Sequence, residues 1–346
     1  MPVDPKNIRK ILVIQLRAIG DILLTTPVLP LLRERFRQAE IHFLTSSGVD
    51  SLLTGIPEVN KVITYPYGPG DLLGVIRFIP SIRKEKYDIV IDYQGTPGTA
   101  QLTALSGAKY RLGWKMKHRQ WAYNLHSASN TRQEYVPLQK CGMLEKIGVD
   151  SVNQEMKISI PPESQAQVEK YFQEIGVEPG QFLVNMTPRG KRPARQWHPE
   201  KIVRLADLLV EKYHARVFFN WAPGEKEFAQ ETAGLSAHKI EVLPGWSLAV
   251  FAAFLSRADL HFSYDNGPKH LAMAAGTSSL SLFATDPPAL WNPLHDPDHP
   301  FILSDVPCRF CGLRNCSLMI CMKQIEPEDV LREIEQIPAV RKKLGL

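Results

Sequence analysis

The feature that most constrains this chain is a repeated alternation of short, continuous apolar runs with amphipathic helical runs. Ile11-Leu-Val-Ile-Gln15 opens the series and is apolar along its length rather than at every second residue. A strand covered on both faces reads this way. It leads into Arg17-Ala-Ile-Gly-Asp21, then a helical stretch with apolar residues at Ile22, Leu23, Leu29, Leu32 and Phe36. Further strands are predicted at residues 41–44, 62–65 and 89–92. The pattern then restarts, with strands predicted at 182–185, 217–219, 240–243, 260–263 and 280–283 and helices at 202–212 and 248–257. Repeated βα units imply an α/β class, with parallel sheets covered on both faces.

A chain of 346 residues, at roughly 150 residues per domain, has room for about two cores. The junction is expected between 150 and 164, where a polar stretch ends in Pro161-Pro162. This divides the chain into domains 1–155 and 156–346. The last helix is predicted at 327–337, its start marked by Glu326, Glu328 and Asp329. Two such halves would turn the carboxyl ends of both sheets toward a shared cleft, the place where open α/β sheets bind ligands.

Composition excludes several classes. With 44% hydrophobic and 22% charged residues the chain is an ordinary globular protein, neither disordered nor collagen-like. The longest stretch free of charge and histidine, 271–285, is too short and too rich in Ser and Thr for a membrane span. The polar start carries no secretory signal, so a cytoplasmic location is expected. A net charge of +5 is too mild for a histone-like protein, yet it suits one that handles phosphates or an anionic surface.

Several loops could carry chemistry. Gly20-Asp21 follows the first strand, where an α/β fold exposes its working loop; Asp21 is equally suited to capping the helix it opens. No G-x-G-x-x-G, Walker A or G-x-S-x-G pattern occurs, which disfavours a nicotinamide enzyme, a P-loop ATPase and a serine hydrolase. Arg189, Lys191, Arg192 and Arg195 place four cations within seven residues. Such a loop suits phosphate oxygens, or is simply solvated; Trp197 after it reads as an anchor for the following helix. Tyr264-Asp265-Asn266-Gly267-Pro268-Lys269-His270 joins a strand to an Ala-rich helix, so helix amides at Gly267 could meet an anion and Asp265 could accept from sugar hydroxyls. Singly, Asp265 reads as a cap and His270 as a packed histidine; together they read as a site. Glu225 and Glu227 follow another strand and could hold a ribose or merely start a helix. Four of the five cysteines, Cys308, Cys311, Cys316 and Cys321, have a spacing that could enclose a structural Zn²⁺, whereas Cys141 reads as a small buried residue.

Taken in order, these motifs resemble glycosyltransferase family 9, the ADP-heptose:lipopolysaccharide heptosyltransferases. The resemblance rests on Ile19-Gly20-Asp21, Thr26-Pro27-Val28-Leu29-Pro30-Leu31-Leu32-Arg33 and Tyr87-Asp-Ile-Val-Ile-Asp92-Tyr-Gln-Gly95. It extends through Arg111-Leu-Gly113 and Asp265-Asn-Gly-Pro-Lys-His270 to Cys321-Met-Lys-Gln-Ile325. It implies a GT-B architecture: an N-terminal acceptor-binding and a C-terminal nucleotide-sugar-binding Rossmann-like domain facing across a cleft, the final helix packing back on the first. It further implies inverting transfer of heptose from ADP-heptose to a lipopolysaccharide core or lipid-linked glycan, with Asp21 as base and no catalytic cofactor. The donor-binding residues it points to are Thr187, Lys191, Arg195, Glu225, Asp265, Asn266, Gly267 and His270. Arg195 stands where the family often has lysine, Asn266 where it has Ser or Thr, and one residue is inserted before Pro199. Arg33, Arg35, Arg37 and the 115–119 cluster suit a phosphorylated lipid or peripheral contact with the inner leaflet, or ordinary solvation. The competing readings are a GT-B enzyme for another nucleotide sugar and acceptor, and a zinc-ribbon nucleic-acid binder. The second lacks an aromatic–basic stripe, so no nucleic-acid partner is expected.

Overall fold

The computed structural model describes residues 3–68, 70–128, 134–190 and 192–346. They form two compact units, Met1–Ser159 and Ile160–Leu346.

In the first unit six parallel strands, β1 (Lys10–Ile14), β2 (Glu40–Ser46), β3 (Lys61–Tyr65), β4 (Ile89–Asp92), β5 (Tyr110–Lys115) and β6 (Leu125–Ala128), lie in the order β3-β2-β1-β4-β5-β6. The second unit has β7 (Leu183–Met186), β8 (Arg216–Phe219), β9 (Glu241–Val242), β10 (Leu260–Tyr264), β11 (Ser278–Phe283) and β12 (Phe301–Leu303), in the order β12-β11-β10-β7-β8-β9. Numbered from its own first strand, each sheet has the doubly wound order 3-2-1-4-5-6. The strand order therefore reverses between β1 and β4 and again between β7 and β10, and such switch points are where this topology leaves a crevice for ligands.

The central strands β1, β4, β7, β10 and β11 are buried almost throughout; β1 is apolar after Lys10, whereas β10 and β11 bury His261, Ser263, Ser279 and Ser281 among their apolar residues. The strands that the sequence pattern does not reveal are β5, β6 and β12. β6 and β12 are half-buried edges, and β5 carries Arg111 and Gly113 in place of a continuous apolar run. Gly113 is there for space. A Cβ at this position would lie 2.5 Å from the ring of Tyr123, whose hydroxyl donates to the fully buried Asp92 at 2.8 Å. Asp92 also accepts from the Gly95 amide at 2.9 Å, which shapes the turn after β4, while its burial pushes the carboxyl pKa up.

In the second unit the helices Pro199–Tyr213 and Pro327–Ile334 cover one face of the sheet, burying Ile202, Leu205, Leu209, Val330 and Ile334. Helix 327–337 is thus shorter than expected and is not the last. A final helix, Pro338–Leu344, follows and buries Val340 in the same core. Both turn apolar residues into the core of the second unit. Among the described residues no helix is long and apolar enough to cross a membrane.

Candidate active site

In the first unit the working loop springs from the carboxyl end of β1, at the switch point. Asp21 is the third residue of the short helix Ile19–Leu23, and its carboxylate accepts from the Ala18 amide at 3.2 Å. Asp21 is therefore not the N-cap itself, which is Ala18, but closes back on the N-cap amide from inside the first turn, and the side chain stays only half-buried. The loop before it is held from the neighbouring strand. Gln94, just beyond β4, accepts with Oε1 from the amides of Leu16 and Arg17 and from Gln15 Nε2, at 3.0, 2.9 and 3.0 Å. The Arg17–Ala18 peptide is cis.

Beneath Asp21 lies a residue that the motif reading missed. Lys140, on the helix Val136–Met143, is only 4% exposed. Its Nζ donates to the Asp21 carbonyl at 2.7 Å, to Thr25 Oγ1 at 2.6 Å and to Gln15 Oε1 at 3.2 Å. A signal was present: Pro137, Lys140, Cys141 and Leu144 share one buried helical stripe, and a lysine on such a stripe must find oxygen partners or lose its charge.

The second unit gathers the predicted cations and acids at its own switch point. Arg195 ends the short turn Pro193–Arg195 after β7 and reaches residues beyond β10 and β11. Its Nη1 lies 2.9 Å from Asp265 Oδ2, its Nε donates to Thr285 Oγ1 at 2.9 Å, and its Nη2 pairs with Asp286. Arg192 also reaches Asp286, at 3.3 Å. Lys269 has no exposed side-chain surface; its Nζ lies 3.4 Å from Asp265 Oδ1, donates to the Trp291 carbonyl at 2.7 Å, and sits 4.7 Å from the centre of the Phe283 ring. Burial pushes the ammonium down to about 8, against the pull of Asp265. Three cations thus face two carboxylates, leaving one positive charge in excess at the strand ends. Lys269, Thr285 and Asp286 were not expected in the site, although Thr285-Asp286 follows β11 just as Asp265 follows β10.

Asn266 caps the helix Gly267–Ala274, its Oδ1 accepting from the Lys269 amide at 3.1 Å, so Gly267 stands in the first turn as expected. His270 is buried on that helix. Thr187 follows β7 and donates from Oγ1 to Asn220 Oδ1 at 2.9 Å. Asn220 in turn accepts from Asn185, which meets the buried, neutral His261 at 2.7 Å; burial pushes the His261 pKa down to about 3. Glu225 accepts from the Ala222 amide at 3.2 Å and so closes its own turn after β8. Trp197 is 2% exposed and donates from Nε1 to the Ile325 carbonyl at 3.1 Å, an anchor and not a stacking platform. Lys191 lies outside the described residues.

Two expectations change. The four clustered cysteines are free, with Cys308 and Cys311 exposed and Cys316 and Cys321 half-buried. Among the described residues no group of three or more His, Cys, Asp or Glu side chains could hold a metal ion, so the structure does not support a Zn²⁺ site at Cys308, Cys311, Cys316 and Cys321. The physical reason is that the irregular segment after β12 leaves two of the four thiols at the surface. Arg33, for its part, is not simply a surface charge: it donates to the carbonyls of Ala39 and Glu58 at 2.6 and 3.0 Å.

Two doubly wound parallel sheets of one order, each with a polar loop at its switch point, are the architecture of the GT-B class. The chain belongs to glycosyltransferase family 9 (heptosyltransferase), which its residues 75–320 match. It is 26% identical over 296 residues to the lipopolysaccharide heptosyltransferase 3 of Escherichia coli, with 79% of this chain and 83% of that one covered. Among solved structures it is similar to the family 9 glycosyl transferase of Veillonella parvula, at a TM-score of 0.85 and 20% identity with 96% and 97% covered. It is also similar to the E. coli ADP-heptose lps heptosyltransferase II, at a TM-score of 0.76 and 18% identity with 96% and 99% covered.

Proposed function

We propose that this enzyme moves heptose from ADP-heptose to a lipopolysaccharide core, inverting the anomeric carbon in one displacement. The observation that carries this reading is that both sheets place their charged or acidic loop at the same topological point. Asp21 stands there in the first unit and the Arg195–Asp265–Lys269 cluster in the second. In this reading the first unit handles the acceptor and the second the donor. The acceptor hydroxyl oxygen forms a bond to the anomeric carbon while the bond from that carbon to the diphosphate oxygen breaks, through an oxocarbenium-like transition state. Asp21 takes the hydroxyl proton as general base. ADP leaves with the bonding electron pair, and its growing charge meets Lys191, Arg195 and the amides that open the helix at Gly267. Fixed cations and dipoles then do the work of a divalent ion. Asp265, Asn266 and His270 line the sugar and phosphate side, with Thr187 and Glu225 toward the nucleoside.

The donor's identity rests on the likeness to the E. coli ADP-heptose lps heptosyltransferase II, and the charge excess at Arg195 supports any nucleoside diphosphate. A location on the cytoplasmic side of the inner membrane, with peripheral contact through the exposed Arg35, Arg37, Lys115 and Lys117, belongs to the same proposal. The test is turnover: protein with ADP-heptose and a panel of core-truncated lipopolysaccharides, read as ADP release and as addition of one heptose by mass. Turnover with a different nucleotide sugar and none with ADP-heptose would replace the donor while leaving the fold and the family intact.

A further inference from the structure

We infer that Lys140 is a positioning residue for Asp21, its buried ammonium holding the helix turn and the loop that present the carboxylate to the acceptor. This rests on the reading of Asp21 as the base. The geometry is unusual for a buried lysine. Among the described residues no carboxylate lies within ion-pair distance of it, and its three acceptors are a carbonyl, a hydroxyl and an amide oxygen. All three belong to the one segment that runs from the end of β1 through the Asp21 helix. Thr25 Oγ1 is itself 2.7 Å from the same Asp21 carbonyl, and Gln15 continues through Gln94 to the Leu16 and Arg17 amides. A single cation therefore ties both ends of the working loop.

Burying a charge on neutral partners is costly, and a salt bridge or a solvated surface would have been the cheaper choice for stability alone. The cost shows in the ammonium itself, which burial pushes down to about 8 while the Asp21 charge pulls it up. The titratable groups that face it are Asp21 on the base helix and the Tyr93 ring after β4 at 5.7 Å, while Cys141, its neighbour in the chain, acts on Tyr93. Of these only Asp21 acts on it as a charge, and both Tyr93 and Cys141 are held protonated by burial. At neutral pH Lys140 is mostly a cation behind a carboxylate; above pH 8 it becomes a neutral amine with a weaker hold.

The test uses the full-length enzyme with ADP-heptose and a core-truncated lipopolysaccharide, together with ADP binding by calorimetry. In Lys140→Met, kcat is expected to fall by about ten- to a hundredfold, the size of a misplaced catalytic group, while ADP affinity and the KM for ADP-heptose stay unchanged. The wild type should lose rate above pH 8, and the residual rate of Lys140→Met should be level across that range. A wild-type kcat, or the same decline above pH 8, overturns the inference; the latter would assign the limb to Lys269. Should Lys140→Met fail to bind ADP, Thr25→Val removes one acceptor only, and a wild-type kcat there overturns the inference equally. Asp21→Asn is run alongside. If it is as active as wild type, the base reading and this inference fall together. If it is inactive while Lys140→Met behaves as wild type, the base reading stands and only Lys140 loses its role.

Discussion

The guanidinium of Arg195 lies 2.9 Å from the carboxylate of Asp265, and the two side chains are only 11% and 9% exposed. One comes from the loop after β7 and the other from the end of β10, so the pair clamps the two strands that flank the second switch point. Lys269 shares the same carboxylate from its other oxygen.

Removing that carboxylate should therefore cost both stability and activity. Asp265→Ala leaves two nearly buried cations with less compensation, and breaking such a pair from one side costs about 3 to 5 kcal/mol. The lower end is expected, because Asp286 still holds Arg195. Urea unfolding measures the loss, and a change below about 1 kcal/mol, the scale of exposed pairs, would show the clamp to be slack.

Asp21→Ala should lower kcat by about 10² to 10⁴, the usual contribution of a positioned base. ADP affinity should be unchanged, since the groups proposed to hold the donor belong to the other unit. The lost bond to the Ala18 amide is a cap contact with a price of about 1 kcal/mol, too little to unfold the chain. Undiminished kcat would remove Asp21 from the reaction.

Chelation should leave turnover intact. Activity after EDTA treatment is expected to match the untreated enzyme, and elemental analysis of the purified chain should find zinc well below one ion per molecule. Loss of activity restored by Mg²⁺ would argue for a metal in the transfer step.

Stability should respond to pH through the buried lysines. Lys269 sits at about 8 in the folded chain and at its ordinary 10.5 when unfolded. Between these values the unfolded state holds a proton that the folded state has released, so this group makes stability rise with pH from about 8 toward 10.5. Below pH 8 both states are protonated and the full burial cost is present. Urea midpoints taken between pH 7.5 and 9.5 should rise less in Lys269→Met than in wild type; equal slopes would mean that Lys269 titrates normally.

Much of this protein was legible in its sequence, for a local reason. A strand covered on both faces is rich in apolar residues rather than alternating, so β1, β4, β7, β10 and β11 announced themselves by their apolar residues, even where Asn185, His261 and Ser281 interrupt the run, and with them the α/β class. The loops that leave those strands were legible too, because Asp21, Asp265 and Gly267 sit within a few residues of a recognisable strand end. Two of the four edge strands were not: β6 and β12 are only half-buried, and no apolar run is needed there.

What only the tertiary structure decided was who partners whom. Nothing local says that Arg195 would be shared by Asp265 and Asp286, 70 and 91 residues further along the chain. Nor does anything local place the Lys140 ammonium under the Asp21 carbonyl, 119 residues away. Cysteine spacing suggested a metal site, yet spacing sets only which chelates a chain could close, and the path of the segment after β12 left Cys308 and Cys311 at the surface. Periodicity reports which face a residue turns inward, and so it determined the fold class. Ion pairs form through space between segments that the sheet order brings together, and that order exists only once the whole chain has packed.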